Sequence, residues 1–77
     1  MTEVLFPQLS DDDPDGEGVL ATWFVDEGAT VADGDLIAEV MVGKVIGEVR
    51  APAGGAIHLT VHEDDVARQR SVIATIS

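Results

Sequence analysis

Residues 18–40 of this 77-residue chain align without gaps on residues 54–76, at an offset of 36. Gly18 matches Gly54, Val25 matches Val61, Glu27 matches Glu63, Ile37 matches Ile73 and Ala38 matches Ala74. The pairs Leu36/Val72 and Val40/Ile76 keep apolar character. The matches fall at turns and at positions suited to a core. Such a repeat leaves few folds open. Each copy is too short to hide its own apolar face, so two β units must interlock about an approximate two-fold axis and cover one another.

The copies read as strands. Residues 20–25, 36–42, 45–49, 56–61 and 72–76 are short runs rich in β-branched or apolar side chains. Turn residues separate them: Asp11-Asp12-Asp13-Pro14-Asp15-Gly16, Asp26-Glu27-Gly28, Asp33-Gly34-Asp35 and Pro52-Ala53-Gly54-Gly55. No stretch of helical length shows a 3.6-residue apolar period. The pattern predicts an all-β fold, a small sandwich or barrel with internal pseudo-two-fold symmetry. The length predicts one domain over residues 1–77.

At the link between the two copies lies a near-mirror sequence, Glu39-Val40-Met41-Val42-Gly43-Lys44-Val45-Ile46-Gly47-Glu48-Val49. Two apolar runs around a two-residue break containing glycine predict a β-hairpin, with Gly43 supplying the positive φ of a type II′ turn. Lys44, the only lysine in the chain, then stands at the tip in water, an amine offered for covalent modification. With Gly43-Lys44 as the loop, Val42 faces Val45, Met41 faces Ile46, Val40 faces Gly47 and Glu39 faces Glu48. Opposed glutamates repel on a buried face. The face that carries them is therefore expected to be wet, and Met41 and Ile46 on it either form an exposed apolar patch beside the lysine, of the kind that marks partner surfaces, or lie under a neighbouring loop.

Composition excludes several functions. The net charge is −11, from 15 acidic against 4 basic residues. Such a surface repels phosphate backbones, which argues against nucleic-acid binding, and it steers basic protein surfaces inward. The absence of cysteine removes thiol catalysis and cysteine-ligated zinc. The polar, acidic start has neither a basic n-region nor a long apolar run, so neither a secretory signal nor a membrane span is expected, and the expected location is the cytoplasm. The strong charge favours a monomer. Ser10, Ser71, Ser77 and the two histidines show no spacing that suggests a nucleophilic triad. Asp11, Asp13, Asp15 and Gly16 imitate the start of a calcium loop, but the twelfth position is Thr22 rather than glutamate. A solvated acidic loop is the expected reading.

In order along the chain, further motifs carry a resemblance. Phe6-Pro7-Gln8-Leu9-Ser10, Gly18 through Trp23, Asp26-Glu27-Gly28-Ala29-Thr30-Val31, Gly34-Asp35-Leu36-Ile37-Ala38-Glu39-Val40 and Ala51-Pro52-Ala53-Gly54-Gly55 follow one another at fixed distances. Together they resemble the lipoyl/biotinyl carrier domains, and specifically the lipoyl domains of 2-oxo acid dehydrogenase complexes, over nearly the whole chain. The resemblance implies a flattened β-barrel of two small antiparallel sheets, with Phe6 to Ser10 as the opening strand. It also implies that Lys44 carries lipoate as an amide and acts as a swinging arm, in a carrier without catalytic residues of its own. The implied partners are a lipoate-attaching ligase or transferase and the 2-oxo acid dehydrogenase, acyltransferase and dihydrolipoamide dehydrogenase components of a complex. Met41, Val42, Gly43, Val45 and Ile46 flank the lysine where such partners would read it. Asp11, Asp12 and Asp13 lie in a loop that the family packs near the tip.

The tip departs from both common patterns. Lipoyl domains usually place Asp before the lysine, and biotinyl domains flank it with Met; here the neighbours are Gly43 and Val45. Biotin on Lys44, in a biotin carboxyl carrier, is the first alternative. An unmodified acidic interaction module is the second. The surrounding sequence favours lipoate.

Overall fold

The computed structural model describes residues 1–9 and 16–77. The calcium-like motif and the acidic residues Asp11, Asp12 and Asp13 lie outside the described residues. Eight strands form: β1 (Thr2–Leu5), β2 (Glu17–Trp23), β3 (Thr30–Val31), β4 (Leu36–Val42), β5 (Val45–Arg50), β6 (Gly55–Leu59), β7 (Val66–Arg68) and β8 (Val72–Ile76). They make two four-stranded antiparallel sheets, ordered β1-β8-β6-β3 and β5-β4-β2-β7. The first four strands repeat as the last four, and each sheet draws strands from both halves.

The register makes the repeat exact at the level of pairs. Val40 faces Gly47 and Glu39 faces Glu48; at the equivalent places Ile76 faces Thr2 and Thr75 faces Glu3. Thus β1 corresponds to β5 at an offset of 45. The second strands correspond at 37, not at the ungapped 36, because Leu20 faces Val40 where Ile57 faces Ile76. A register shift between Leu20 and Thr22 absorbs Ala21 and restores the offset of 36 from Thr22/His58 onward. One extra residue in a β-bulge is the usual way for a strand to change register without losing its partner. Gly18 therefore corresponds to Gly55 and not to Gly54.

Under this correspondence all fourteen buried apolar side chains among the described residues fall into seven pairs: Val4/Val49, Phe6/Ala51, Leu20/Ile57, Val31/Ala67, Ile37/Ile73, Ala38/Ala74 and Val40/Ile76. The core is the sum of two half-cores facing each other across the dyad. Even backbone strain repeats. Gly28 has φ 82° where Asp64 has 70°, and Gly34 has 91° where Arg70 has 70°. Both turn pairs need a left-handed residue, and only the first half meets the need with glycine.

Three local readings of the sequence change. The opening strand, expected at residues 6–10, is Thr2–Leu5, and residues 6–9 follow it outside any strand. Pro7 has no N–H to donate, and Phe6 ends the strand, accepting from Arg70 N–H and donating to Ser71 O at 2.7 and 2.9 Å. The strands β3 and β7, of 2 and 3 residues, carry no alternation long enough to see, yet they complete both sheets.

Candidate functional site

The β4–β5 hairpin forms in the expected register, with Val42 facing Val45, Met41 facing Ile46, Val40 facing Gly47 and Glu39 facing Glu48. Its loop is Gly43-Lys44. Gly43 has φ 59°, and Lys44 is not among the residues of positive φ, which is the type II′ combination. The position equivalent to this turn in the other sheet is open, because there the paired strands are β8 and β1, the last and the first. Lys44 therefore sits at the turn where the chain passes from one half to the other.

Lys44 is exposed, and its side chain has no ion pair or hydrogen bond among the described residues. Its neighbours divide by face. Val42 packs against the core as a half-buried residue, whereas Val45 is 48% exposed. On the other face Met41 and Ile46 are 37% and 62% exposed. The opposed glutamates are also on that face, Glu48 exposed and Glu39 partly so. Arg50 compensates one of them, its guanidinium reaching Glu48 at 3.3 Å. Gly47 is buried because the Leu9 side chain lies where a Cβ would stand, with Cδ2 at 2.7 Å from that point. The chain thus crosses the back of the hairpin just before the undescribed acidic segment.

Next to the tip the sheet carries a shallow groove of about 380 Å³, lined by Glu17, Gly18, Val19, Met41, Gly43 and Val66. Of these, sequence reasoning singled out Met41 and Gly43. Val19 and Val66 reach the site only through pairing of β2 with β4 and with β7, and β7 leaves no signal in the sequence.

Elsewhere the fold brings together a trio that spacing did not suggest. His58 Nδ1 lies 2.9 Å from Glu27 Oε2, and His58 Nε2 lies 3.2 Å from Ser77 Oγ. Acyl transfer would also require free N–H donors for an oxyanion. Here the Ser77 N–H is given to Ala56 O and the Ala56 N–H to Ser77 O, at 2.9 and 3.0 Å. The trio instead fastens the start of the β3 turn to β6. Glu27 also accepts the Leu59 N–H at 2.6 Å, and that bond, followed by the one with His58, holds its carboxyl below the usual carboxylate range. His62 takes no part, its N–H bonding Asp65. No group of three or more His, Cys, Asp or Glu side chains assembles as a metal site among the described residues. Trp23 packs against the core and donates its Nε1–H to Val61 O at 2.8 Å, while Phe24 is 50% exposed.

Comparison with known proteins agrees with this fold. The biotin/lipoyl family, described as "Biotin-requiring enzyme", matches residues 2–76. No curated protein sequence matches the chain. Among solved structures, the lipoyl domain of the 2-oxoglutarate dehydrogenase complex from Azotobacter vinelandii is similar, with a TM-score of 0.77 and 26% identity. The match covers 100% of this chain and 96% of that one.

Proposed function

The chain belongs to the biotin/lipoyl family and is a carrier domain rather than an enzyme, and from that premise we propose that Lys44 bears a covalent lipoyl group. The observation that carries the reading is the sole lysine, exposed and without a partner among the described residues, on a type II′ turn at the junction of two half-barrels. An acyl group needs an amine that is accessible and free of competing partners, with space around it. Among the described residues, no heavy atom beyond its chain neighbours comes within 4 Å of where a Gly43 Cβ would be, which supports an open tip.

The domain contributes geometry. Lys44 Nζ attacks an activated acyl carbon brought by a ligase or transferase. The ammonium first gives one proton to a base on that enzyme; the N–C amide bond then forms, the activating group leaves with the bonding electron pair, and the second N–H proton passes to a base as well. A positive charge becomes a neutral tether. The rigid hairpin fixes the root of the tether, and tethering raises the effective concentration of the carried group at each partner site. Partners of such a carrier are the 2-oxo acid dehydrogenase, acyltransferase and dihydrolipoamide dehydrogenase components of a complex. Met41, Val42, Gly43, Val45 and Ile46 are the residues proposed to meet them first, and the charges of Asp11, Asp12 and Asp13 are proposed to guide them.

Lipoate is favoured over biotin by the similarity to a lipoyl domain. The apolar approach to the lysine, Met41-Val42-Gly43, keeps biotin as the second reading. Intact mass and Lys44-peptide mass of the protein from its own organism decide between them. A lipoyl adduct on Lys44 with no streptavidin binding is expected. A biotinyl adduct overturns the choice of cofactor, and an unmodified Lys44 overturns attachment and leaves an acidic interaction module.

A further inference from the structure

Four apolar side chains stand in one register row across the sheet that carries Lys44. Ile46 faces Met41, Met41 faces Val19, and Val19 faces Val66, so the row crosses β5, β4, β2 and β7 in turn. Residues directly opposed across antiparallel strands share a face. Ile46 and Val66 are 62% and 61% exposed, Met41 37%, and Val19 is half-buried. With neighbouring strands about 4.8 Å apart, the row runs roughly 14 Å. The groove beside the tip lies along it and reaches Gly43, the residue before Lys44.

The other half of the molecule supplies an internal control. By register, Met41 corresponds to Ser77, Val19 to Ala56, Val66 to Thr30 and Ile46 to Met1. The equivalent row is small or hydroxylated at three of its four places. Folding makes the same demands on both rows, so it does not require apolar residues at Met41, Val19 and Val66. The halves differ in that only one of them carries the lysine. Glu39 and Glu48 form the next row, with Arg50 on Glu48, and Glu17 edges the groove facing Arg68; the acidic field comes from the chain as a whole, of net charge −11.

We propose that this stripe is the docking surface for the enzyme that acylates Lys44, whose own face presents an apolar centre rimmed by lysine and arginine. The proposal rests on Lys44 being the attachment site. It extends recognition from the hairpin to β2 and β7, which are remote from the lysine in sequence. Apolar contact sets how long the complex lasts, and the acidic field sets how fast it forms.

The test uses the 77-residue chain with purified lipoate ligase, lipoate and ATP, or biotin ligase and biotin if the native adduct is biotinyl, read by intact mass. Val19→Thr with Val66→Ser leaves the hairpin untouched and is expected to raise KM for the domain about tenfold with kcat unchanged. Added NaCl is expected to raise KM further. At the equivalent positions of the other half, Thr30→Val with Ala56→Val is expected to change nothing. Without ATP, ligase should broaden the methyl resonances of Val19 and Val66 in the wild-type domain. An unchanged KM in the Val19→Thr/Val66→Ser variant, or methyls that ignore the ligase, overturns the docking surface while acylation of Lys44 stands. Wild-type chain left unacylated at Lys44 overturns both. A dimer in sedimentation that dissociates in that variant assigns the stripe to a second copy and overturns the proposal.

Discussion

Glu27 and Glu63 hold each other's half of the barrel. The Glu27 carboxylate accepts the Leu59 N–H at 2.6 Å, and the Glu63 carboxylate accepts the Trp23 N–H at 2.8 Å. Leu59 and Trp23 are themselves equivalent, 36 positions apart, as are the two glutamates. Each side chain reaches from a turn in one half to the end of a strand in the other and satisfies an amide that no sheet partner serves. Glu63→Ala removes that acceptor and is expected to lower stability by about 1 kcal/mol, measured by urea denaturation. Glu63→Gln keeps a side-chain carbonyl oxygen and should lose less. Glu27→Ala should act in the same direction as Glu63→Ala.

The Glu27 bond also gives the domain a pH dependence with a defined sign. Leu59 N–H and then His58 hold the folded-state carboxyl below its ordinary value of 4.5. A depressed folded-state value means that the unfolded chain takes up the proton first. The stabilisation is therefore present above the unfolded value and is lost as pH falls through the folded one. Thermal melts between about pH 6 and pH 3 should show the midpoint falling below about pH 4.5. Glu27→Gln should flatten part of that fall, and a Glu27→Gln profile parallel to wild type would remove Glu27 as its source.

Three glycines that look alike in sequence differ in what surrounds them. A Cβ on Gly18 would stand 2.5 Å from Phe6 Cζ and 2.6 Å from the Met41 carbonyl oxygen. The ring end and the backbone cannot both retreat, so Gly18→Ala should cost about 3 kcal/mol. On Gly47 the obstacle is the end of the Leu9 side chain at 2.7 Å, which can rotate; about 1 kcal/mol is expected. Gly54 meets nothing closer than 3.5 Å and has no positive φ, so Gly54→Ala should be neutral or slightly stabilising. Denaturant midpoints of the three variants check the order.

Much of this arrangement could be read from residue order, because its causes are local. Period-two alternation and a glycine in a two-residue loop specify the β4–β5 register, and the opposed glutamates specify which of its faces is wet. The repeat announced the dyad, since Ile37/Ile73 and Ala38/Ala74 occupy identical core places. What stayed hidden depends on contacts between distant strands. Ala21 looks like any strand residue until the pairing of β2 with β4 shows it as a bulge. Two- and three-residue strands carry no period, so Val66 could not be placed beside Met41. The pairing of Phe6 with Ala51 joins a large residue to a small one and leaves no sequence match. The Glu27–His58–Ser77 trio likewise assembles from three elements.

The lysine turn offers a prediction in which conformation is separable from contact. Gly43 has φ 59°, and apart from its chain neighbours no heavy atom of the described residues would come within 4 Å of an added Cβ. The cost of Gly43→Ala is therefore chiefly torsional, about 1–2 kcal/mol. That strain can be relieved in two ways. Either the hairpin keeps its II′ turn and the whole domain loses that stability, or the loop relaxes to another turn and the tip alone changes. In the first case unfolding shifts uniformly, and Lys44 is acylated at the wild-type rate under native conditions. In the second the denaturation midpoint barely moves, amide exchange quickens at Val42 and Val45, and acylation slows because the root of the lysine side chain has moved. The pairs Met41–Ile46 and Val40–Gly47 anchor the strands below the turn, and Val42 is held against the core. The expected result is therefore the first: a uniform loss of about 1–2 kcal/mol with acylation of Lys44 retained. An unchanged midpoint combined with slowed acylation would show that the turn is held more weakly than its anchors imply.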